Sequence, residues 1–152
     1  MSRAKRHQYL TDAELGAWHG CLEFTYAAIA AVDDALSAAH GISVKEYDVL
    51  ITLYNAPGAR LRMAELADRV LLTPSGITHL VTRLEKSGLV NRVVDDDDRR
   101  SFFATLTPAG DDRLRESRAT HNEVVRTVLT RRLSDSQLAE LGEIWRHVLD
   151  SV

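Results

Sequence analysis

Between Thr73 and Lys86 lies a stretch whose side chains can meet a polyanion without repelling it. Thr73 followed by Pro74 predicts a helix start, because the hydroxyl caps free N–H groups and proline at the first helical position loses nothing. Ile77, Leu80, Val81 and Leu84 recur at three-to-four spacing and form the inward face. At 100° per residue the opposite face then carries Ser75, His79, Thr82, Arg83 and Lys86, with Gly76 and Thr78 on its flanks. These are hydroxyls, an imidazole and two cations, with no acid among them, whereas an ordinary solvated face mixes both signs. Such a face suits the major groove of a duplex. Arginine reads guanine O6 and N7, and Ser, Thr and His contact bases or phosphates. Gly76, near the helix start, lets the backbone approach a phosphate that the helix dipole attracts. Ser75, Gly76, Thr78, His79, Thr82 and Arg83 are therefore the major-groove candidates, and Thr73 and Lys86 the phosphate candidates.

The flanking elements must hold that helix in place. Thr11-x-x-Glu14 is a capping box, followed by Leu15, Trp18, Leu22, Tyr26, Ile29, Val32 and Leu36 at helical spacing up to about His40, where Gly41 stops the helix. Ser43-x-x-Glu46 opens a second helix with Tyr47, Leu50, Ile51 and Tyr54 inside, ended by Pro57-Gly58. Met63, Leu66, Ala67 and Val70 mark a third helix of two to three turns. After Gly88, Leu89–Val94 and Ser101–Leu106 are β-prone and predict a hairpin. Thr107-Pro108 starts a long polar helix over about 108–132, and Ser134-x-x-Gln137 starts a last one with Leu138, Leu141, Trp145, Val148 and Leu149 in one stripe. The fold class expected is mainly α with a small β-hairpin wing: a winged helix-turn-helix plus a helical dimerisation domain.

The hairpin tip reads Asp95-Asp96-Asp97-Asp98-Arg99-Arg100. Arg99 and Arg100 suit the narrow minor groove, where negative potential attracts guanidinium, with Asp98 orienting an arginine through a charge-assisted hydrogen bond. Asp95, Asp96 and Asp97 must then point away from phosphate, and nothing in the sequence explains three of them. The run lacks the glycine and distal glutamate of a calcium loop.

Bulk properties exclude little. The 152 residues carry a net charge of −3, yet from Arg60 to Arg100 eight Lys/Arg stand against seven Asp/Glu, so total charge does not decide for or against nucleic acid. No apolar run approaches the roughly 20 residues a membrane span needs, and the basic N-terminus leads into Thr11-Asp12 with no apolar stretch, unlike a signal peptide. One cysteine, Cys21, fits a reducing cytoplasm.

Leu72-Thr73-Pro74-Ser75-Gly76-Ile77-Thr78-His79-Leu80-Val81-Thr82-Arg83-Leu84-Glu85, then Gly88-Leu89-Val90, Asp98-Arg99-Arg100 and Leu106-Thr107-Pro108-Ala109-Gly110, resembles the MarR family of bacterial and archaeal regulators. The acid–Arg–Arg tip followed by Leu-Thr-x-x-Gly is the specific part. His79 departs from the pattern, since members often carry arginine there. The resemblance covers nearly the whole chain and implies a single unit over 1–152. In it, 8–40 and 108–152 form the helical dimerisation region and 43–107 the winged helix-turn-helix. The recognition helix spans about 74–87 and the wing about 89–107, so that 60–107 is the DNA-reading part. It implies a homodimer that binds double-stranded DNA at pseudo-palindromic promoter sites, usually as a repressor, without a cofactor. Relief by a small aromatic or anionic ligand between the domains is implied as well, with Trp18, His19, Tyr26, Tyr47 and Tyr54 as candidate lining residues; as aromatics they suit a core or a dimer interface better.

One branch of that family senses organic hydroperoxides through a first-helix cysteine held by tyrosines, and Cys21 with Tyr26 and Tyr47 invites the comparison. Aligning those tyrosines places the branch's cysteine at Leu22 and its other tyrosine at Leu36, so a buried, inert thiol is the better reading of Cys21. A winged helix that binds protein would expose an apolar recognition face, and this one is polar. No nucleophile–base pair, phosphate loop or metal motif points to an enzyme.

Overall fold

The computed structural model describes residues 9–95, 98 and 100–150. Helix α1 (Asp12–His40) begins at the expected box: Thr11 N–H donates to Glu14 Oε2 at 2.6 Å and Glu14 N–H donates to the Thr11 hydroxyl at 3.3 Å. It stops at Gly41, whose φ of +64° is the left-handed value glycine adopts without strain. Helix α2 (Val44–Tyr54) starts at the second box and gains another acceptor, because Asp33 Oδ1 of α1 receives the Val44 N–H at 2.7 Å.

Strand β1 (Arg60–Arg62), helix α3 (Met63–Arg69) and helix α4 (Pro74–Lys86) follow, then strands β2 (Val90–Val94) and β3 (Phe102–Leu106). The sheet has three strands in the order β1-β3-β2, all antiparallel, where the sequence predicted only a hairpin. Three residues are too few to show an alternating pattern, and β1 exists because the free edge of β3 needs a partner. Leu61, opposite Ala104, is buried while Arg60 and Arg62 point outward. The long helix α5 (Pro108–Val128) is shorter than predicted: at Leu129 the backbone leaves helical geometry (φ −129°, ψ −69°), and a 3-10 turn at Thr130–Arg132 precedes α6 (Asp135–Leu149).

One core serves the helix-turn-helix and the wing. Leu50 and Leu53 of α2, Leu66 of α3, Ile77, Val81 and Leu84 of α4, Val90 of β2 and Leu114 of α5 are fully enclosed. Helix α1 adds only its C-terminal part, through Val32 and Leu36, and α6 has no fully buried residue within the protomer. Between α3 and α4 the chain turns through Leu71, which holds φ +53° and is 91% exposed.

The wing joins α5 at a clamp. Thr107 Oγ1 donates to the Gly88 carbonyl at 2.7 Å while accepting the Gly110 N–H at 3.0 Å, and Thr107 N–H reaches the Leu89 carbonyl at 3.2 Å. Gly110 lies against that same Leu89 carbonyl and against Leu106 Cδ1, so a β-carbon there would collide with backbone. Leu-Thr-Pro-Ala-Gly is therefore a packing motif: threonine ties the turn and glycine lets α5 close on it. Gly110→Ala is expected to destabilise the fold by about 1–3 kcal/mol through overpacking, seen as a lowered thermal midpoint; an unchanged midpoint would contradict this close approach.

Candidate nucleic-acid interface

Helix α4 presents the face read from the sequence. Ile77, Leu80, Val81 and Leu84 are buried, while Ser75, Thr78, His79, Arg83 and Lys86 are exposed and Gly76 and Thr82 half-buried. Thr73 caps the helix through a 3.1 Å bond from Gly76 N–H. A β-carbon at Gly76 would stand 3.1 Å from that capping hydroxyl, so the glycine also relieves crowding at the cap. Thr78 and Thr82 donate their hydroxyls back to the carbonyls of Pro74 and Thr78, both at 2.8 Å. They therefore offer outward only acceptor lone pairs and methyl groups.

Two hollows flank this face. One, of about 490 Å³, separates α4 from the wing and is lined by Thr78 together with Arg62, Arg92 and Arg100. The other, of about 250 Å³, lies toward the start of α2 and is lined by Lys45, Gly76, His79 and Arg83. Lys45, Arg62 and Arg92 are functional candidates that the sequence reading did not single out. All three become visible only when α2, β1 and β2 are packed beside α4.

Arg62 and Arg92 are each held by an acid. Glu85, the one acid on α4, receives Arg92 at 2.8 Å, which takes its charge toward the wing and away from the outward face. Asp95 is buried and pairs with Arg62 of β1 at 2.6 Å. The start of the acidic run is thus a strut inside the sheet, which accounts for one of the aspartates that looked misplaced. Among the described residues Asp98 acts within its own turn: its carboxylate accepts the Ser101 hydroxyl at 2.7 Å and the Arg100 N–H at 3.1 Å, not the Arg100 guanidinium. A short side chain at a turn reaches nearby N–H groups before it reaches a long side chain's end. Those two bonds, the Ser101 bond foremost, hold the Asp98 carboxyl below the usual carboxylate range. Arg100 is exposed; Asp96, Asp97 and Arg99 lie outside the described residues.

The candidate ligand residues do not converge. Trp18 and His19 are exposed near the start of α1, and Tyr26 is exposed about two turns on. Tyr47 is buried and stacked on His121 of α5, ring centroids 4.6 Å apart, and desolvation pushes its phenol up. Asp48 beside it is also raised by desolvation, with His121 opposing. Tyr54 is exposed, with the Arg118 guanidinium 5.2 Å above its ring. Cys21 is half-buried, not buried as expected, because the hollow it lines between α1 and α6 is open in the protomer.

Comparison with known proteins agrees with this geometry. The sequence profile of the MarR family matches residues 40–101. The structure of Sco3205, a MarR family transcriptional regulator from Streptomyces coelicolor in complex with DNA, is 35% identical and superposes with a TM-score of 0.88, covering 95% of this chain and 91% of that one. AbsC, a MarR family regulator from the same organism, is 30% identical with a TM-score of 0.87, over 95% and 97% of the two chains. The HTH-type transcriptional repressor YetL of Bacillus subtilis is 32% identical over 92 residues, 60% of this chain and 55% of that protein. The matched stretch spans about half the length of the curated relatives. The chain belongs to the MarR family, and the relatives and solved structures named above are transcriptional regulators.

The Asp95 strut makes a prediction whose sign discriminates. By charge alone, removing an acid from the wing should tighten binding to DNA. If Asp95 fixes Arg62 and the wing, Asp95→Ala will instead weaken binding and lower the thermal midpoint. A gel-shift titration beside a melting curve separates the two.

Proposed function

We propose that this chain acts as a homodimeric repressor that inserts α4 into the major groove of each half of a pseudo-palindromic operator. The observation that carries it is the pair of cationic hollows on either side of an acid-free helix face. A helix in a groove about 12 Å wide has a phosphate strand on each side. One strand would run past Arg62, Arg92 and Arg100, the other past Lys45 and the start of α4. Ser75, His79, Thr82 and Arg83 would face base edges, with Thr78 and Gly76 at the margins and Thr73 and Lys86 on phosphate. The wing would place Arg100 in the minor groove; Arg99, as its neighbour, is assigned the same role from the sequence. The partner in each case is double-stranded DNA, met in the cytoplasm.

Support for the dimer comes from the α1–α6 side. Leu15, Trp18, Phe24, Ile144, Trp145 and Val148 are exposed there, around an apolar hollow of about 390 Å³. A protomer alone would leave this face in water, whereas a second copy would bury it. A small aromatic or anionic effector has a seat beside the turn that precedes α4. A hollow of about 200 Å³ is lined there by Ile29, Val44, Lys45, Asp48 and Leu71; none of the five aromatic or histidine candidates lines it.

Arg100→Ala is expected to weaken binding to a selected operator by roughly 10- to 100-fold, and Lys45→Ala and Arg92→Ala each to reduce the salt slope of binding by about one. Unchanged affinity and slope in all three would remove the docking pose. Trp145→Arg is expected to shift the protein from dimer to monomer in analytical ultracentrifugation; a variant that stays dimeric would move the interface elsewhere.

A further inference from the structure

The buried carboxylate of Glu46 does more than cap α2. Its Oε2 closes the capping box, accepting the Ser43 N–H at 2.7 Å and the Ser43 hydroxyl at 2.9 Å. Its Oε1 receives Arg83 Nε, from the last turns of α4, at 2.8 Å. Arg83 Nη2 also reaches Ser43 Oγ at 3.3 Å. The other two boxes, Thr11/Glu14 and Ser134/Gln137, do the same capping work at exposed sites with no such distant partner among the described hydrogen bonds. The ion pair is lopsided: the Glu46 side chain is 9% exposed and that of Arg83 59%.

A guanidinium is a rigid planar fork with five N–H donors. Here its side edge, Nε and Nη2, is turned to the protein. Nη1 has no protein partner among the described residues, and the second Nη2 hydrogen is left over. What remains for DNA is the end edge, Nη1 with Nη2, which fits the two acceptors of guanine, O6 and N7. A flexible arginine would instead present either edge, or swing to the nearest phosphate.

We propose that Glu46 is a positioning residue for DNA reading: through Arg83 Nε it fixes the guanidinium end-on toward the bases, and so sets specificity from outside the interface. The inference rests on Arg83 facing the groove. It predicts that loss of the carboxylate harms discrimination more than total binding, because a freed arginine still attracts phosphate. Lys45 and His79 line the same hollow as Arg83. Neither is a carboxylate that could take the place of Glu46 beside Arg83 Nε.

Glu46→Gln is the informative variant, because the chain itself uses glutamine at the same place in a box: Ser134 N–H donates to Gln137 Oε1 at 2.9 Å. The full-length protein is tested on two duplexes, one that the wild type selects from a randomised pool and a scrambled one of equal length and composition. The ratio of the two affinities is expected to fall about tenfold in Glu46→Gln, mostly through weaker binding to the selected duplex. In an Arg83→Ala background the same change is expected to leave the ratio unaltered. A ratio unchanged in the single variant, whatever its melting point, overturns the proposal. So does tighter binding of both duplexes, which would mean that Glu46 withholds Arg83 from DNA. If Arg83→Ala alone changes nothing, the groove assignment of Arg83 fails, and this inference with it. If Arg83→Ala weakens selected binding but Glu46→Gln does not, only the inference fails.

Discussion

The joint at Thr107 and Gly110 is the constraint on which the rest of this molecule depends. The wing, the C-terminal end of the recognition helix and the helix leading to the α1–α6 side meet there. Thr107 bonds to the carbonyl of Gly88, the residue that reverses the chain after α4, and its N–H bonds to Leu89. Gly110 then allows the first turn of α5 to rest against the Leu89 carbonyl with no side chain between. Because interiors pack as solids, such a contact transmits position and does not merely permit it. How α4 and the wing are aimed is thus tied to how α5 is held. Arg113 donating to the His40 carbonyl at 2.6 Å and His40 meeting Thr120 at 2.8 Å carry the tie on to α1.

A second regularity is how acids and arginines are paired around the reading helix. Glu46 with Arg83, Asp95 with Arg62 and Glu85 with Arg92 repeat one arrangement with varying strictness. In the first two the carboxylate is buried and the guanidinium looks outward; in the third both are half-exposed. A pair exposed on both sides, such as Glu85 with Arg92, adds little to stability, and what all three share is a geometric use. The acid restricts a long side chain to one direction while leaving some of its donors free. This is why a nearly balanced count of charges between Arg60 and Arg100 is compatible with a cationic surface: the negative members of the set are turned inward or sideways.

The distribution of core explains the contrast between the two ends. The helix-turn-helix and wing close around enclosed leucines, isoleucine and valines, so that part has a core of its own. The first two-thirds of α1 and all of α6 have stripes of apolar residues that the protomer covers only in part. Secondary structure there is secured locally, by capping boxes at both helix starts, and the burial that amphipathic helices ordinarily obtain is left for another surface.

Much of this was legible in the chain because the signals are local. Three capping boxes, Pro74 and Pro108 behind threonine caps, Gly41 and Gly88, and the inward set Ile77, Leu80, Val81 and Leu84 each act over a few residues, so helix order and the exposed face of α4 follow from spacing. Family resemblance also rests on these local words. What could not be read was everything that depends on residues far apart in sequence. Strand β1 exists only because β3 offers an edge, Arg62 and Lys45 become part of the interface only when their elements pack beside α4, and the Tyr47–His121 stack takes a candidate ligand residue into packing. The sequence by itself determined the helices, the turn and the chemical character of the reading face, since periodicity and caps are nearest-neighbour physics. Only the tertiary structure decided what each charge is for. Asp95 became a strut, Asp98 a turn acceptor and Glu46 the holder of Arg83, because a side chain's role is set by the partner folding brings to it.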